Sequence, residues 1–394
     1  MRYSPRSLTL AILILASTLH AQGRGVSGPR SPEIAADGKV TFRLQAPGAK
    51  SVQLLGDFTG KTLEMTKSDA GVWSLTTDPL KPGSYQYWFV MDGLTMPDPV
   101  NTYVRPASGV YKSQFDVPGP EADWLSFRDV PHGTLHEHWY LNKDNGTARR
   151  VVVYTPPGYN GADDKPYPVL YLLHGANDFE RGWTQAGNAN WIMDNLLAQK
   201  KTRPALIVMP FGHDVTGASG KQAEIKAFQK SLGIQPATRP AAGARGGAFG
   251  SGGSYMERDL LTNVIPLVER EYHTLQDPNH RAIFGYSMGG GHSTTIGLNH
   301  PERFAYVAGM SGFAGQNAIA KALADPDKTN QQYKLIWAGC GTEDPIAFAG
   351  GKSFDKLLTA KNIRHEWVES PGYRHDYQIW RIYLHDLLPR LFND

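Results

Sequence analysis

The chain has 394 residues, of which 41% are hydrophobic, and this length suits two domains or one large domain with insertions. The net charge is +3, and two of the positive charges come from Arg2 and Arg6, so charge gives no reason to expect a nucleic-acid or anionic-membrane partner. Because Cys340 is the only cysteine, an internal disulfide is excluded, and we expect Cys340 to be a packed strand residue.

The first residues predict a secretory signal peptide at 1–21. Basic residues precede an apolar run at 8–16, and small or polar residues follow as far as Ala21, after which cleavage is expected. The run is shorter than the ~20 apolar residues that a membrane span needs, so no membrane partner is expected. We therefore expect a secreted or periplasmic protein.

Residues 22–38 are rich in glycine, serine and proline and predict a flexible leader. From 39 to 117 apolar and polar residues alternate with period two, and Pro-Gly and Gly-Asp turns interrupt the short runs. This pattern predicts a small immunoglobulin-like β-sandwich, with Trp73 and Trp88 in its core. Residues 118–131 contain the sequence Pro-Gly-Pro and predict a linker.

From 132 to 394 short apolar runs alternate with amphipathic stretches, which predicts a mainly parallel α/β sheet. The predicted strands are Val151–Tyr154, Val169–Leu173, Leu206–Met209, Ala282–Phe284, Tyr306–Ala308 and Leu335–Ala338. The interval 211–253 is unusually long and follows a strand end, where such sheets bind ligands. The sequence is compatible with either a lid-like insertion or a disordered insertion at 211–253. Phe211, at the strand end, is a candidate substrate contact.

The sequence Gly285-Tyr286-Ser287-Met288-Gly289 follows an apolar run and precedes a helix-like stretch, as in a nucleophile elbow. A serine needs an imidazole to accept its proton, and the imidazole needs a carboxylate to orient it. In hydrolases with such an elbow, the three catalytic residues follow along the chain in the order serine, acid, histidine, which indicates Asp344 as the acid and His375 as the base. Glu343, in the same turn as Asp344, is the competing acid.

An oxyanion hole requires two backbone donors near the nucleophile. Met288 supplies one N–H, and Ala176, after the strand that ends in Leu173-His174-Gly175, supplies the other. His292 is expected on the helix behind the elbow, where it packs or approaches the pocket.

The pair His136 and His138 has a spacing found in metal sites, but no further cluster completes a ligand set. We therefore expect no metal and no cofactor.

Residues 132–394 resemble the esterase D-like enzymes of carbohydrate esterase family 1, which include feruloyl and acetyl xylan esterases. The matching segments include Val153–Tyr159, Leu172–Gly175, Gly182–Thr184, Ile192–Leu196, Ser287–Gly291, His300–Phe304 and Cys340–Asp344. The resemblance implies an α/β-hydrolase with Ser287 as nucleophile, Asp344 as acid and His375 as base. Trp183 and Tyr286 are candidate substrate contacts, and Tyr286 stands where the family more often has leucine.

Residues 39–117 resemble the early-set domain of carbohydrate-binding module family 48, through Leu54–Phe58, Gly71–Trp73, Pro82–Tyr87 and Met91–Gly93. The tryptophans that bind glucans in that family are replaced here by Gly60-Lys61 and Leu94-Thr95. The module is therefore expected to brace the catalytic domain or to form a wall of its cleft.

Together these features predict a secreted serine esterase that acts on a carbohydrate ester, either a small molecule or a polysaccharide that carries feruloyl or acetyl groups. The closest alternative is a siderophore esterase of the enterochelin type, which also combines these two domain types. An alternative from another class is a noncatalytic carbohydrate-binding protein. The sequence leaves the oligomeric state open.

Overall fold

The computed structural model describes residues 28–107, 110–143, 146–161, 165–176, 178–213 and 255–393. The amino-terminal part forms two antiparallel sheets packed face to face. The first sheet has the order β1 (Glu33–Ile34), β2 (Val40–Gln45), β6 (Val72–Thr76), β5 (Thr66–Lys67). The second has the order β4 (Leu63–Glu64), β3 (Val52–Gly56), β7 (Gly83–Met91), β10 (Val110–Val117), β9 (Val104–Ala107), with β8 (Leu94–Met96) paired to β7.

The alternation in the sequence places the core between these sheets. Phe42 of β2 meets Tyr87 of β7 and Phe115 of β10, with ring centroids 4.7 and 5.4 Å away. Inward and outward side chains alternate along each strand because successive Cβ atoms point to opposite faces. The predicted immunoglobulin-like sandwich is therefore confirmed.

The segments before and after the sandwich are ordered where the structure describes them, contrary to the expectation of a flexible leader. Within 28–38, β1 pairs with β2, and the buried Ser31 hydroxyl accepts a hydrogen bond from the Arg43 N–H at 3.0 Å. Within 118–131, Leu125 packs in the hydrophobic core, and the Asn195 amide donates to the backbone carbonyls of Asp123 and Trp124. The predicted signal peptide lies outside the described residues.

The rest of the chain is built on an eight-stranded sheet, mainly parallel as predicted. Its strand order is β11 (Thr134–Leu141), β12 (Ala148–Thr155), β14 (Leu206–Pro210), β13 (Val169–Leu173), β15 (Arg281–Tyr286), β16 (Tyr306–Met310), β17 (Leu335–Gly341), β18 (Glu366–Ser370). β11 and β12 pair antiparallel, and the order from β14 to β18 is parallel. The edge strand β11 was not among the predicted strands, since its outer face carries exposed Leu135 and Trp139.

Helices cover both faces of this sheet. Their bounds are α1 (Gly182–Gln185), α2 (Ala189–Ala198), α3 (Ile265–Glu271), α4 (Met288–Asn299), α5 (Ala320–Ala324), α6 (Pro326–Gln332), α7 (Phe348–Ala360) and α8 (Tyr377–Leu387). Leu170 and Leu172 of β13 enter one apolar cluster with α2 and α8, whereas Val169 and Tyr171 enter the opposite cluster with α3, α4 and α7. Strands that are buried on both faces read as continuous apolar runs, which explains why their pattern was recognisable.

This topology brings four chain segments to one edge of the sheet. β13, β15, β17 and β18 are parallel and end at the same side, so the residues that follow them meet there. The sandwich docks beside this edge. The side chains of Gln378 and Arg381 in α8 both donate to the Ser84 carbonyl of β7, at 2.9 and 2.7 Å. Within the described residues, no helix has the length and apolarity needed to cross a membrane.

Candidate active site

Ser287 lies in the turn between β15 and α4 with φ +53° and ψ −121°, a backbone conformation that non-glycine residues rarely adopt. Two glycines allow this turn. A Cβ on Gly289 would lie 2.6 Å from the carbonyl oxygens of both Leu173 and His174, and a Cβ on Gly285 would overlap the backbone of Gly289. The turn therefore has the shape of a nucleophile elbow and holds the serine above the sheet edge.

Ser287, His375 and Asp344 form a chain of hydrogen bonds. His375 Nε2 is 2.9 Å from Ser287 Oγ, and His375 Nδ1 is 2.7 Å from Asp344 Oδ2. An ionised carboxylate can only accept, so Nδ1 carries the proton and Nε2 is the acceptor for the serine O–H. The imidazole is thus in the tautomer that can take a proton from Ser287.

The structure distinguishes the two candidate acids. The Asp344 side chain is buried, and its Oδ1 accepts hydrogen bonds from the N–H groups of Ile346 and Ala347, both at 2.9 Å. Glu343 instead points outward, with 55% of its side chain exposed, and pairs with Arg374 at 3.4 Å. Only the Asp344 carboxylate reaches the imidazole.

The environment of Asp344 keeps it ionised. Burial acts to raise the pKa of this carboxyl, but the hydrogen bond and charge of His375 and the two backbone donors outweigh it and lower the pKa below its ordinary value. Cys340 packs beneath, with its Sγ 3.4 Å from Asp344 Oδ2, and burial raises the pKa of this thiol to about 12. Cys340 is therefore a buried neutral strand residue, as expected.

Met288 and Ala176 both lie beside Ser287. Met288 is the first residue of α4, and the N–H of a first helical residue has no intrahelical acceptor. Ala176 is exposed and lines the same cavity as Ser287 and His375. Both residues thus lie at the edge where a substrate carbonyl would sit, and their N–H groups stay the predicted oxyanion donors.

The turn that carries Ala176 is braced from behind. Gly212 N–H donates to His174 Nε2 at 2.9 Å, and His174 Nδ1 bonds the Gly175 carbonyl at 2.8 Å. Burial, followed by the nearby His213, lowers the pKa of His174 to about 4, so the ring is neutral and can both accept and donate. The segment after β14 therefore supports the turn that carries Ala176.

Two cavities meet at Ser287. One, of about 440 Å³, is mostly apolar, with Phe313, Phe354 and Leu357 in its wall, and we call it the apolar arm. The other, of about 530 Å³, runs between the sandwich and the sheet edge, and we call it the polar arm. Ile346 lines both arms.

The sandwich supplies one wall of the polar arm. Trp88 of β7 and Lys112 of β10 line it, with the ammonium 4.5 Å from the indole centroid, and Asp57 lines it too. Burial raises the pKa of Asp57 to about 7, and burial followed by the charge of Arg105 lowers the pKa of Lys112. Among the described residues, Asp57 Oδ2 has no hydrogen-bond partner.

Two of the candidate substrate contacts, Trp183 and Phe211, lie away from both arms. Trp183 is fully buried, and its indole N–H donates to the Leu173 carbonyl at 3.0 Å, so it is a core residue. His292 packs in the helix behind the elbow, which was one of the two alternatives expected for it; burial lowers its pKa to about 4, and it lines neither arm. Phe211 lines neither arm, and its ring is parallel to that of Phe179, with ring centroids 6.3 Å apart.

Tyr286 borders the polar arm but is nearly buried, and its hydroxyl points away to the Asp178 carboxylate at 2.6 Å. Conversely, Trp88 is partly exposed in the cleft and is not the core residue that was expected. Its neighbours Tyr87 and Phe89 are fully buried, so the period of two places Trp88 on the opposite face of β7. That alternation could have placed Trp88 in the cleft from the sequence alone. The local sequence around Asp178 contains no signal of its contact with Tyr286.

The ring nitrogens of the His136–His138 pair contact hydroxyl groups. His136 Nε2 lies 3.0 Å from Thr155 Oγ1, and His138 Nε2 lies 2.6 Å from the Tyr272 hydroxyl. In the part of the chain that the structure describes, no group of three or more His, Cys, Asp or Glu side chains could hold a metal ion.

The fold and the site define an α/β-hydrolase with a hydrogen-bonded serine, histidine and aspartate at the carboxyl edge of its sheet. The profile of the family described as "Putative esterase" matches residues 143–391, so the chain belongs to this esterase family. Residues 29–104 match "Carbohydrate-binding module 48 (Isoamylase N-terminal domain)".

Among similar proteins, an endo-1,4-beta-xylanase/feruloyl esterase of Xylanibacter ruminicola is 30% identical over 375 residues, which cover 93% of this chain and 46% of that protein. The chain spans about half the length of the known relatives it matches, between 46% and 60%. The expected resemblance to feruloyl esterases with a module of family 48 is confirmed.

Solved structures share the fold. A ferulic acid esterase from Anaeromyces mucronatus, in complex with ferulic acid, is 21% identical with a TM-score of 0.55 and covers 74% of this chain and 97% of that one. The enterobactin esterase of Shigella flexneri is 18% identical with a TM-score of 0.62 and covers 90% of this chain and 93% of that one.

Proposed function

We propose that the protein is a secreted or periplasmic serine carboxylesterase that cleaves hydroxycinnamoyl esters, of the feruloyl type, from plant polysaccharide or its oligosaccharides. The observation that carries this proposal is the chain of hydrogen bonds from Asp344 through His375 to Ser287, placed where the apolar and polar arms meet. The predicted signal peptide supports export. No cofactor takes part in the proposed reaction.

The reaction begins when Ser287 Oγ attacks the ester carbonyl carbon and His375 Nε2 takes the hydroxyl proton. The N–H groups of Met288 and Ala176 bind the oxyanion, and Asp344 stabilises the protonated imidazole. The carbon–oxygen bond to the alcohol then breaks, and His375 returns the proton to the leaving oxygen. This leaves an acyl group on Ser287 and frees the sugar.

Deacylation repeats these steps with water. His375 takes one water proton as the water oxygen attacks the acyl carbon, and the same two N–H groups bind the oxyanion. The bond to Ser287 Oγ breaks, the proton passes from His375 to Oγ, and the carboxylic acid leaves. The free enzyme is then restored.

The shape of the two arms favours an aromatic acyl group over acetyl. Phe313, Phe354 and Leu357 form the apolar wall of a cavity of about 440 Å³, which an acetyl group would leave mostly unfilled, whereas a hydroxycinnamoyl ring would cover this wall. The polar arm combines Trp88 with the carboxyl of Asp57 and the amide of Gln86. An aromatic face with several polar groups suits a sugar on the alcohol side.

A catecholate siderophore is the second candidate substrate. The overall match to the enterobactin esterase extends over both domains, and Lys112 and Arg105 reach the polar arm. However, Arg105 is paired with Asp178, and Asp57 and Asp376 line the same cavity, so the polar arm does not offer a strong positive field to an anion.

The substrate assignment is tested by initial rates on feruloylated arabinoxylan, acetylated xylan and a catecholate siderophore at equal ester concentration. We expect feruloylated arabinoxylan to be hydrolysed fastest. A higher rate on the siderophore or on acetylated xylan would replace the proposed substrate, and no hydrolysis of any of them, under conditions where the chain is folded, would favour a noncatalytic carbohydrate-binding protein.

The contribution of the polar arm is tested separately with Trp88→Ala. We expect this variant to lose about tenfold in kcat/KM on feruloylated arabino-oligosaccharide, consistent with the loss of about 1–2 kcal/mol of aromatic contact, and to keep its rate on p-nitrophenyl acetate. Trp139→Ala is the matched control, because Trp139 is exposed on β11 away from both arms. Equal losses on both substrates would contradict a sugar contact at Trp88.

A further inference from the structure

A buried network connects the sandwich to the catalytic centre through Asp178. Arg105 of β9 donates from one guanidinium nitrogen to Asp178 Oδ1 and Oδ2, at 2.9 and 3.0 Å. Both side chains are only 4% exposed. The Arg105 Nε donates to Gln86 Oε1 at 3.0 Å, which fixes the guanidinium against β7.

On its other side Asp178 binds two tyrosines. Its Oδ2 accepts from the hydroxyls of Tyr286 at 2.6 Å and Tyr377 at 2.7 Å, and these hydroxyls are 2.8 Å apart. Burial, followed by the charge of Asp178, raises the pKa of both phenols well above the ordinary value, so both remain neutral donors. A Cβ on Gly182 would overlap the Asp178 carboxylate, so the glycine that begins α1 leaves the space for it.

Each partner of Asp178 stands next to a group of the proposed reaction. Tyr286 directly precedes Ser287, and Tyr377 lies two residues after His375. The Asp178 N–H also donates to the Gly175 carbonyl at 3.2 Å, which closes the turn that carries Ala176. The segments that carry the nucleophile, the base and one oxyanion donor are therefore all linked to Asp178, the first two through its carboxylate and the third through its backbone N–H.

Aromatic packing makes this attachment stiff. The Tyr286 ring stacks on Trp380, with centroids 3.9 Å apart, and the Trp380 and His375 rings are nearly perpendicular, with centroids 5.1 Å apart. A shift of the Tyr286 hydroxyl would therefore move both the backbone at Ser287 and the ring against which His375 rests.

We propose that Arg105 and Asp178 are positioning residues of the esterase centre, and that docking of the sandwich through Arg105 keeps Ser287, His375 and the Ala176 turn in line. This inference rests on the proposed function, because it assigns a role in the same reaction. The sandwich thus completes the catalytic geometry in addition to forming a wall of the polar arm.

Removal of Arg105 leaves the Asp178 carboxylate buried without its cation. A buried charge that loses its partner is strongly unfavourable, so the carboxylate turns toward water or takes up a proton. Either change alters the acceptor for Tyr286 and Tyr377. A displacement of about 1 Å in a catalytic group costs about 100-fold in rate.

The test uses the full-length chain and p-nitrophenyl acetate, a substrate too small to require the sandwich wall. We expect Arg105→Met to lower kcat about 10- to 100-fold with KM within about threefold of wild type, and Arg105→Lys to recover most of the loss. Gln114→Ala is the matched control. It removes another hydrogen bond between the two parts of the chain, from Gln114 to the Gln185 carbonyl at 2.8 Å, but it does not touch Asp178.

A double variant separates positioning from general loosening. If Arg105 acts through Asp178, Arg105→Met combined with Asp178→Asn should lose no more kcat than the more impaired single variant, since the two residues are one unit. If the kcat of the double variant instead falls by the product of the two single-variant factors, the proposal is overturned. An equal loss of kcat in Gln114→Ala would overturn it as well.

Thermal unfolding of each variant accompanies the kinetics, with rates measured well below the midpoint. If Arg105→Met does not fold, Tyr377→Phe still decides the question, because it keeps most of the buried packing. A kcat within twofold of wild type in a folded Arg105→Met, or in a folded Tyr377→Phe where Arg105→Met does not fold, would refute the positioning role. Wild-type hydrolysis that Ser287→Ala leaves unchanged would instead refute the proposed function.

Discussion

Replacement of Asp344 by asparagine tests the assignment of the acid in the proposed triad. The two backbone N–H groups of Ile346 and Ala347 require an oxygen at the Oδ1 position, so the asparagine oxygen stays there and its NH₂ faces His375. A donor at 2.7 Å from Nδ1 forces the imidazole proton onto Nε2. Nε2 then cannot accept the proton of Ser287.

This change of tautomer sets the size of the expected effect. In serine hydrolases of this type the same substitution lowers kcat about 10⁴-fold, so we expect a loss of about 10³- to 10⁴-fold for Asp344→Asn, or about 4–5 kcal/mol in the activation barrier. KM should change little, because Asp344 is buried and lines neither arm. Steady-state kinetics on methyl ferulate measures both constants.

Glu343→Gln provides the control from the same turn. Its pair with Arg374 is exposed, and exposed ion pairs contribute at most about 1 kcal/mol, so kcat should remain within about threefold of wild type. If Glu343→Gln lost more activity than Asp344→Asn, the acid would have to be reassigned and the tautomer argument would fail.

Two further predictions concern stability. Gly289→Ala should lower the free energy of unfolding by about 3 kcal/mol, because its Cβ would lie 2.6 Å from two backbone oxygens. Gly291→Ala in the same helix should leave the melting temperature unchanged or raised, because the nearest atom to its Cβ would be 3.8 Å away. Equal effects of the two substitutions on the melting temperature would contradict this packing argument. Asp57→Asn should stabilise the protein by about 1–2 kcal/mol at pH 8 and by much less at pH 4. The Asp57 carboxyl retains its proton up to about pH 7 in the folded chain but only up to about pH 3.8 in the unfolded chain, so the wild type loses stability as the pH rises from 3.8 to 7. Urea unfolding of wild type and Asp57→Asn at pH 4 and at pH 8 measures the difference.

The elbow and the order of the site residues could be predicted because their signals are local. Gly285 and Gly289 flank the serine in sequence, and each glycine avoids a specific backbone overlap. Asp344 follows β17, whose continuous apolar run was recognisable, and His375 follows in the expected order serine, acid, histidine. The choice between Asp344 and Glu343 required the structure, because adjacent residues of one turn differ only in the direction of their side chains.

Other features depend on contacts between distant parts of the chain. Asp178 meets partners that are 73, 108 and 199 residues away, so no window of sequence contains the network. Trp183 was assigned to the site by resemblance alone, yet it is fully buried because α1 turns it toward the Leu173 carbonyl. Trp88 could have been placed correctly from its alternation with Tyr87 and Phe89.

The central claim is that Ser287 carries the acyl group during ester hydrolysis. The most direct measurement is intact-protein and peptide mass spectrometry after treatment with a fluorophosphonate, together with hydrolysis of methyl ferulate by wild type and Ser287→Ala. We predict one adduct per chain, located on Ser287, with parallel loss of hydrolysis, and neither adduct nor hydrolysis in Ser287→Ala. An adduct on another residue that abolishes hydrolysis, or undiminished hydrolysis by Ser287→Ala, would contradict the account.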